Sequence, residues 1–234
     1  MSARKNKESH AEKNFENIGE ALTTSEQFLE KNQKSILTGL LIVVVLVGAY
    51  LAYHYLYMLP RNVKAQAAIF KGERYFQEGQ DSLALFGNGN DYIGFESIIH
   101  QYKGTKTADL AHAYAGISYN RMGNHEKALA HLQKFKGGDL LITPAITGAI
   151  GDVYMNMGKN DEAISQFLKA AQTANDQMLS PLYFKKAGNA YLQSGNYDKA
   201  VELFTRIKEH YLNSPEAQEA DKYIKQAELL KESK

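Results

Sequence analysis

The chain has 234 residues, enough for one domain of about 100–200 residues with further segments attached. Its 27 Lys and Arg nearly balance 26 Asp and Glu, which argues against a nucleic-acid binder with its strongly basic face. There is no Cys. That removes disulfides, thiolate metal sites and cysteine nucleophiles, and also the lipid-bearing Cys of a bacterial lipoprotein.

Residues 1–34 hold six Lys and Arg and six Glu, and 1–14 are almost wholly polar, a composition that favours disorder. A helix is expected from Thr24 onward, capped by Ser25 and led by Phe28 and Leu29. A surface-lying amphipathic stretch around Phe15, Ile18 and Leu22 is a further expectation.

Residues 36–59 contain no Asp, Glu, Lys or Arg. As a helix these 24 residues reach about 36 Å at 1.5 Å per residue, against a bilayer core of about 30 Å. Residues 36–47 include ten Leu, Ile and Val, each favouring insertion by about 0.3–0.6 kcal/mol. Tyr50, Tyr53, Tyr55 and Tyr57 crowd one end, as interfacial aromatics do. The reading is a transmembrane helix over 35–59. Val47, Gly48 and Ala49 could pass as a signal-peptide cleavage site. However, the charged region ahead is long and the apolar stretch runs past Ala49, which fits an uncleaved anchor better. Six Lys and Arg precede the span (Arg4, Lys5, Lys7, Lys13, Lys31, Lys34) and four follow closely (Arg61, Lys64, Lys71, Arg74). This bias places the N-terminus in the cytoplasm.

Beyond the span one phrase recurs. Gly116, Tyr119, Gly123 and Ala128 keep the spacing of Gly151, Tyr154, Gly158 and Ala163, and of Gly188, Tyr191, Gly195 and Ala200. The copies lie 35 and 37 residues apart, the period of a helix-pair repeat. Each landmark has a physical role. The first Gly admits a neighbouring helix, Tyr fills the space between the two helices of a pair, and the second Gly ends the first helix in a left-handed conformation. The Ala sits at the closest crossing of the second helix. Leu132, Phe135, Phe167, Ala170, Phe204 and Ile207 continue the second helices at helical spacing. Pro144 and Pro181 stand in first turns, where a missing N–H costs nothing. These positions resemble the tetratricopeptide repeat. The Trp common near the start of that repeat is replaced by His112, Thr147 and Phe184.

The expected fold is all-α: an N-terminal transmembrane helix, then an α-solenoid of tetratricopeptide-type helix pairs closed by a capping helix. A degenerate first pair spans 60–106, where Gly72 and Tyr75 echo the phrase and Gly94, Ile98 and Tyr102 read as its second helix. Between them an insertion at 80–91 lengthens the connection. Three clear repeats fill 107–214. Residues 215–234 form a cap and tail, with Ala217, Ala220, Ile224 and Ala227 on its apolar face.

No catalytic pattern emerges. The seven His form no HExxH pair and read as surface or packing residues. The stretch Gly87, Asn88, Gly89, Asn90, Asp91 lacks the Lys-Ser/Thr of a phosphate loop and the spacing of a calcium loop, and is expected to be a flexible turn. The chain is therefore read as a protein-binding module rather than an enzyme. No cofactor, metal, small-molecule substrate or nucleic acid is expected. The first helix of each pair lines the concave face of such a stack. The predicted binding groove comprises Ile117, Asn120 and Arg121, then Asp152, Met155 and Asn156, then Lys185, Asn189, Leu192 and Gln193. Its mixture of amide, charged and apolar side chains suits an extended or helical segment of another protein. Lys185 and Asn189 match two positions of a carboxylate clamp, but Ala113, Ile117, Gly148 and Asp152 occupy the equivalent places, so most of that clamp is missing.

The whole layout is similar to the YfgM family, ancillary subunits of the SecYEG translocon. It shares the charged tail, the single uncleaved span and the C-terminal repeat domain. Residues 26–34 before the span, and Gly72, Glu73, Arg74, Tyr75 and Phe76 after it, resemble the Bacteroidetes versions. The resemblance implies a bacterial inner-membrane protein whose repeat domain lies in the periplasm, with the SecYEG translocon and a PpiD-like chaperone as partners. A general envelope-assembly scaffold without a role in secretion is the alternative.

Overall fold

The computed structural model describes residues 31–233, so the expected helix from Thr24 and the amphipathic stretch around Phe15, Ile18 and Leu22 lie outside the described residues. The described residues are helical throughout, with short turns and no strand. They divide into two compact units, one ending at Leu59 and one beginning at Pro60.

In the first unit the helical run Lys31–Gln77 begins, long and apolar enough to cross a membrane by length and composition. Its large side chains from Ile36 to Leu59 are mostly exposed, with no protein packed on them, the opposite of a core helix in a soluble domain. A π-turn, Tyr53–Met58, widens it, and the Leu59 N–H donates to the His54 carbonyl. Pro60 follows directly. A proline ring crowds the carbonyl four residues back and removes one N–H, and a widened turn just ahead of it accommodates both.

The second unit opens with α1 (Leu59–Gln77). Two short helices, α2 (Asp81–Phe86) and α3 (Phe95–Gln101), follow. Three helix pairs come next: α4 (Lys106–Arg121) with α5 (His125–Leu132), α6 (Ile142–Asn156) with α7 (Asn160–Ala174), and α8 (Leu179–Gln193) with α9 (Tyr197–His210). Helix α10 (Pro215–Glu232) packs on α9 and α8. Each helix from α4 onward packs on the next, so the chain rises and falls as a solenoid.

The recurring phrase is visible as geometry. A Cβ placed on Gly151 would come within 2.6 Å of the Phe167 ring, and one on Gly188 within 2.6 Å of Phe204. On Gly116 it would meet Leu132 at 2.5 Å. The glycine is the hollow into which the second helix sets its bulkiest side chain. The second glycines, Gly123, Gly158 and Gly195, all have φ between 71° and 78°. In each case the next residue's N–H donates to the carbonyl of the repeat's Tyr: Asn124 to Tyr119, Lys159 to Tyr154, Asn196 to Tyr191, all at 2.9 Å. This closes the first helix with a Schellman turn. Asn124 and Asn196 then cap the second helices through their side chains.

The first pair differs from the sequence expectation. Gly79 has φ 72°, and the Gln80 N–H donates to the Tyr75 carbonyl at 2.8 Å, the same Schellman turn. Ala84 is fully buried. Gly72, Tyr75, Gly79 and Ala84 thus carry the full phrase at the standard spacing, and the second helix starts at Asp81 without a lengthened connection. The inserted residues break that second helix instead, between α2 and α3. The position that Phe167 and Phe204 fill elsewhere falls on Asn88, after the break. Tyr92 and Phe95 replace it: a Cβ on Gly72 would overlap the Tyr92 hydroxyl and meet Phe95 Cε1 at 2.6 Å.

The break itself is tied down rather than flexible. Asn88 Oδ1 accepts from the N–H groups of Asn90, Asp91 and Tyr92 at 3.0–3.1 Å. Asn88 Nδ2 donates to Asp91 Oδ1 at 2.7 Å and to the Tyr75 hydroxyl at 3.1 Å. The Tyr92 hydroxyl donates to the Ala84 carbonyl at 2.8 Å, and Lys71 pairs with Asp91.

Candidate functional site: the first-helix face and a histidine cleft

The ten groove residues all lie on α4, α6 and α8, but half of them are engaged within the protein. Asn156 Nδ2 donates to Asn120 Oδ1 at 3.1 Å, linking α6 to α4. Both Asp152 oxygens accept from Lys186 Nζ at 2.7 Å, linking α8 to α6. Lys185 Nζ donates to Glu219 at 2.6 Å, linking the cap to α8. Arg121 reaches back to the first pair, donating to the Phe76 carbonyl at 3.2 Å with its guanidinium 4.3 Å above the Phe76 ring. At least one polar bridge therefore crosses each junction. Ile117 is half-buried against the core of the first repeats, and Met155 and Leu192 against that of the later ones. Asn189 and Gln193 make no hydrogen bond to a described residue and leave the end of α8 as the uncommitted part of this face. Lys185, the main clamp candidate, is occupied by Glu219. Its neighbour Lys186 went unnoticed in the sequence because the carboxylate it needs lies 34 residues away.

A second constellation was invisible to motif reading. His112 Nδ1 and His131 Nδ1 are 3.1 Å apart. His131 Nε2 lies 3.3 Å from Glu96 Oε1, which also accepts from the Tyr119 hydroxyl at 2.6 Å. These groups come from α3, α4 and α5. They sit beside a cleft of about 700 Å³ whose rim includes His100, Lys103, Asp109, Lys134 and Lys136. Burial pushes the His112 pKa down to about 4, with His131 and Lys134 adding to the effect and Glu96 opposing it. Burial also lowers His131, against the pull of Glu96. Tyr119 is raised by burial and by its bond to Glu96. Near neutral pH the pair is uncharged, one Nδ1–H donating to the other Nδ1. The cleft lining carries no hydroxyl or thiol nucleophile. Among the described residues no three His, Cys, Asp or Glu are placed to hold a metal ion. The contacts of the cluster fasten three helices to one another.

The sign of its pH dependence follows. Above pH 6.5 neither folded nor unfolded chain protonates these imidazoles. Between about 6.5 and 4 the unfolded chain protonates His112 and the folded one does not, so stability falls as pH falls. His112 is only partly buried, so solvent screening limits the effect to about 1–2 kcal/mol. Urea titrations of the full chain in detergent at pH 7 and pH 4.5 are expected to show wild type losing that much more stability than His112→Gln.

Helix pairs with a Gly-x-x-Tyr first helix, a Schellman turn and a glycine-seated aromatic define a tetratricopeptide-repeat solenoid, a fold that typically serves as a protein-interaction scaffold. Models of the tetratricopeptide repeat match residues 114–137, 148–177 and 185–217. No curated protein matches the chain. Solved structures are similar, among them two of the nearly identical TPR-like repeats of a Podosopora anserina protein described as a kinesin light chain. One, a single-substitution form, has 15% identity over 74% of this chain and 89% of that one, with a TM-score of 0.58. The other, without that substitution, has 14% identity over the same shares, with a TM-score of 0.59. At that identity the likeness shows the fold alone.

Proposed function

We propose that the chain is a single-pass membrane scaffold that presents its repeats to other proteins as a chaperone adaptor beside the protein-export channel. The carrying observation is one apolar helical stretch with no protein packed on it, joined in the same chain to a repeat solenoid. The repeats imply protein partners, and the helix confines where those partners are met. The resemblance to the YfgM family supports placing the repeats in the periplasm, with the SecYEG translocon and a PpiD-like chaperone as partners. The general envelope-assembly scaffold is distinguished by the partners recovered.

The partner-facing surface is the uncommitted end of α8, around Asn189, Leu192 and Gln193. A photo-crosslinking residue at Gln193, introduced in intact bacterial cells, is expected to trap translocon or periplasmic chaperone subunits. The same residue at Lys169, exposed on α7, is expected to trap few. Recovery of other envelope proteins alone would favour the general scaffold. An equal yield from both sites would remove the α8 face from the proposal.

A further inference from the structure

Alternate helices of a solenoid point in opposite directions, so its turns fall on two edges. The turns inside the pairs, at Gly79, Gly123, Gly158 and Gly195, lie on one edge. The turns between pairs, 102–105, 133–141, 175–178 and 211–214, lie on the other. The start of α1 belongs with the second set, because Arg61 Nη2 donates to the Gln101 carbonyl at 2.7 Å. At the opposite end of α1, the Phe76 carbonyl accepts from Arg121 at the end of α4. The between-pair edge is thus the edge on which the second unit begins, one residue after the apolar segment ends.

That edge has an unusual surface. Leu140 is 82% exposed, Met178 77% and Leu212 72%, in the last three of the four between-pair turns, with Leu141 at 65% beside Leu140. They are displayed by built turns rather than loose ones. Asp139 Oδ1 accepts from the Leu141 and Ile142 N–H groups at 2.8 and 3.1 Å. Asp176 Oδ1 repeats the design with the N–H groups of Met178 and Leu179 at 2.7 and 2.6 Å. Both carboxylates are turned onto their own backbone, and that bonding holds Asp139 below the usual carboxylate pKa. Lys103, Lys106, Lys134 and Lys136 cluster at the same edge, exposed, with no ion pair to a described residue. Lys71, Lys185, Lys186, Lys208, Lys225 and Lys231 are paired, while Lys64, Lys127, Lys159, Lys169, Lys199 and Lys222 share with the edge lysines the lack of an ion pair to a described residue; what sets those four apart is that they gather at two neighbouring turns. Asp109, Glu209 and Glu216 are carboxylates near it. The opposite edge carries Asn124, Lys159, Ser194 and Asn196, and its exposed large apolar side chains, Met122 at 49% and Leu229 and Leu230 at the end of α10 at 53% and 37%, are less exposed than Leu140, Met178 and Leu212.

We infer that the between-pair edge is a membrane-contact surface: Leu140, Met178 and Leu212 insert at the headgroup level of an anionic bilayer, and Lys103, Lys106, Lys134 and Lys136 bind its lipid phosphates. The inference rests on the reading that 36–59 spans a membrane, since connectivity then holds Pro60 at the bilayer. Exposed apolar side chains that share an edge with lysines free of ion pairs match an interface of anionic headgroups over acyl chains. Resting the stack on this edge leaves the α4, α6 and α8 faces free along its side.

The absence of Cys permits a clean test. Single variants Leu140→Cys, Met178→Cys, Leu212→Cys, Lys159→Cys and Val44→Cys of the full chain carry a fluorophore and are reconstituted in vesicles. The vesicles contain phosphatidylcholine with or without phosphatidylglycerol, and nitroxide-labelled lipid as quencher. Probes at 140, 178 and 212 are expected to be quenched by headgroup-level nitroxide in anionic vesicles, while the Lys159 probe is not. Charge reversal at Lys103, Lys134 and Lys136 is expected to release them, each lysine strengthening surface association about fivefold. Quenching at 44 by a deep nitroxide, with none at 140, 178 and 212, would overturn the edge contact while leaving the span standing. No deep quenching at 44 would overturn the span itself. Shielding of the edge probes that is equal in detergent and in vesicles would identify a protein contact instead and overturn the inference.

Discussion

Phe204→Ala is expected to destabilise the repeat unit by about 3–5 kcal/mol, read as a lower urea midpoint for the full chain in detergent. Phe204 is fully buried, with its ring seated against Gly188 and stacked on Tyr223 of α10 at a centroid distance of 5.2 Å. Truncation leaves a cavity at the junction of α8, α9 and α10. Solenoid stability is a sum of repeat and neighbour terms, so the loss is local. Hydrogen exchange is expected to quicken in α9 and α10 and to remain unchanged in α4 and α5. Phe204→Leu is expected to be milder, because Leu132 holds the same position against Gly116 in the first clear repeat. A uniform acceleration across all helices would show that the unit unfolds as one block.

Gly94→Ala is expected to cost about 3 kcal/mol or more, from two additive causes. Gly94 has φ 85° and ψ 153°, a conformation almost confined to glycine and worth about 1–3 kcal/mol of strain for other residues. Its new Cβ would also lie 2.4 Å from the Leu85 carbonyl oxygen, a backbone atom that cannot swing aside, adding about 1–3 kcal/mol. Gly87 is the facing partner: φ is 83°, ψ is 176°, and a Cβ would meet the Tyr92 carbonyl oxygen at 2.3 Å. Gly89, with φ 71° and open space around its Cβ position, is the internal control: Gly89→Asn is expected to be nearly silent. Exchange protection at Tyr92 and Phe95, measured for both variants, separates these outcomes. Equal losses at Gly89 and Gly94 would show that backbone conformation alone governs the break.

Much of the fold was legible because a repeat writes its geometry locally. Gly, Tyr, Gly and Ala at fixed spacing set a hollow, a filler, a left-handed turn and a crossing point within one unit. Each acts through neighbours fewer than 20 residues away. The first pair shows the limit. Its four landmarks Gly72, Tyr75, Gly79 and Ala84 stood in the sequence, but the aromatic that should follow Ala84 was missing. That gap made 80–91 read as a lengthened connection. Tyr92 and Phe95 restore the packing from beyond a break, and nothing local announces that they fold back.

The face of α4, α6 and α8 was legible as positions but not as chemistry. Asn120, Asp152, Asn156 and Lys185 looked available for a partner because their bonding partners are a repeat away in sequence and one helix away in space. His112 and His131 are 19 residues apart and meet Glu96 only because three helices converge. By itself the sequence determined the apolar helix, the repeat register and the turns, all consequences of short-range sterics and hydrophobic periodicity. Only the tertiary structure decided which polar groups are consumed at repeat junctions, which stay free at the end of α8, and which exposed leucines and lysines share one edge. Those outcomes depend on distances between helices, which the order of residues does not encode.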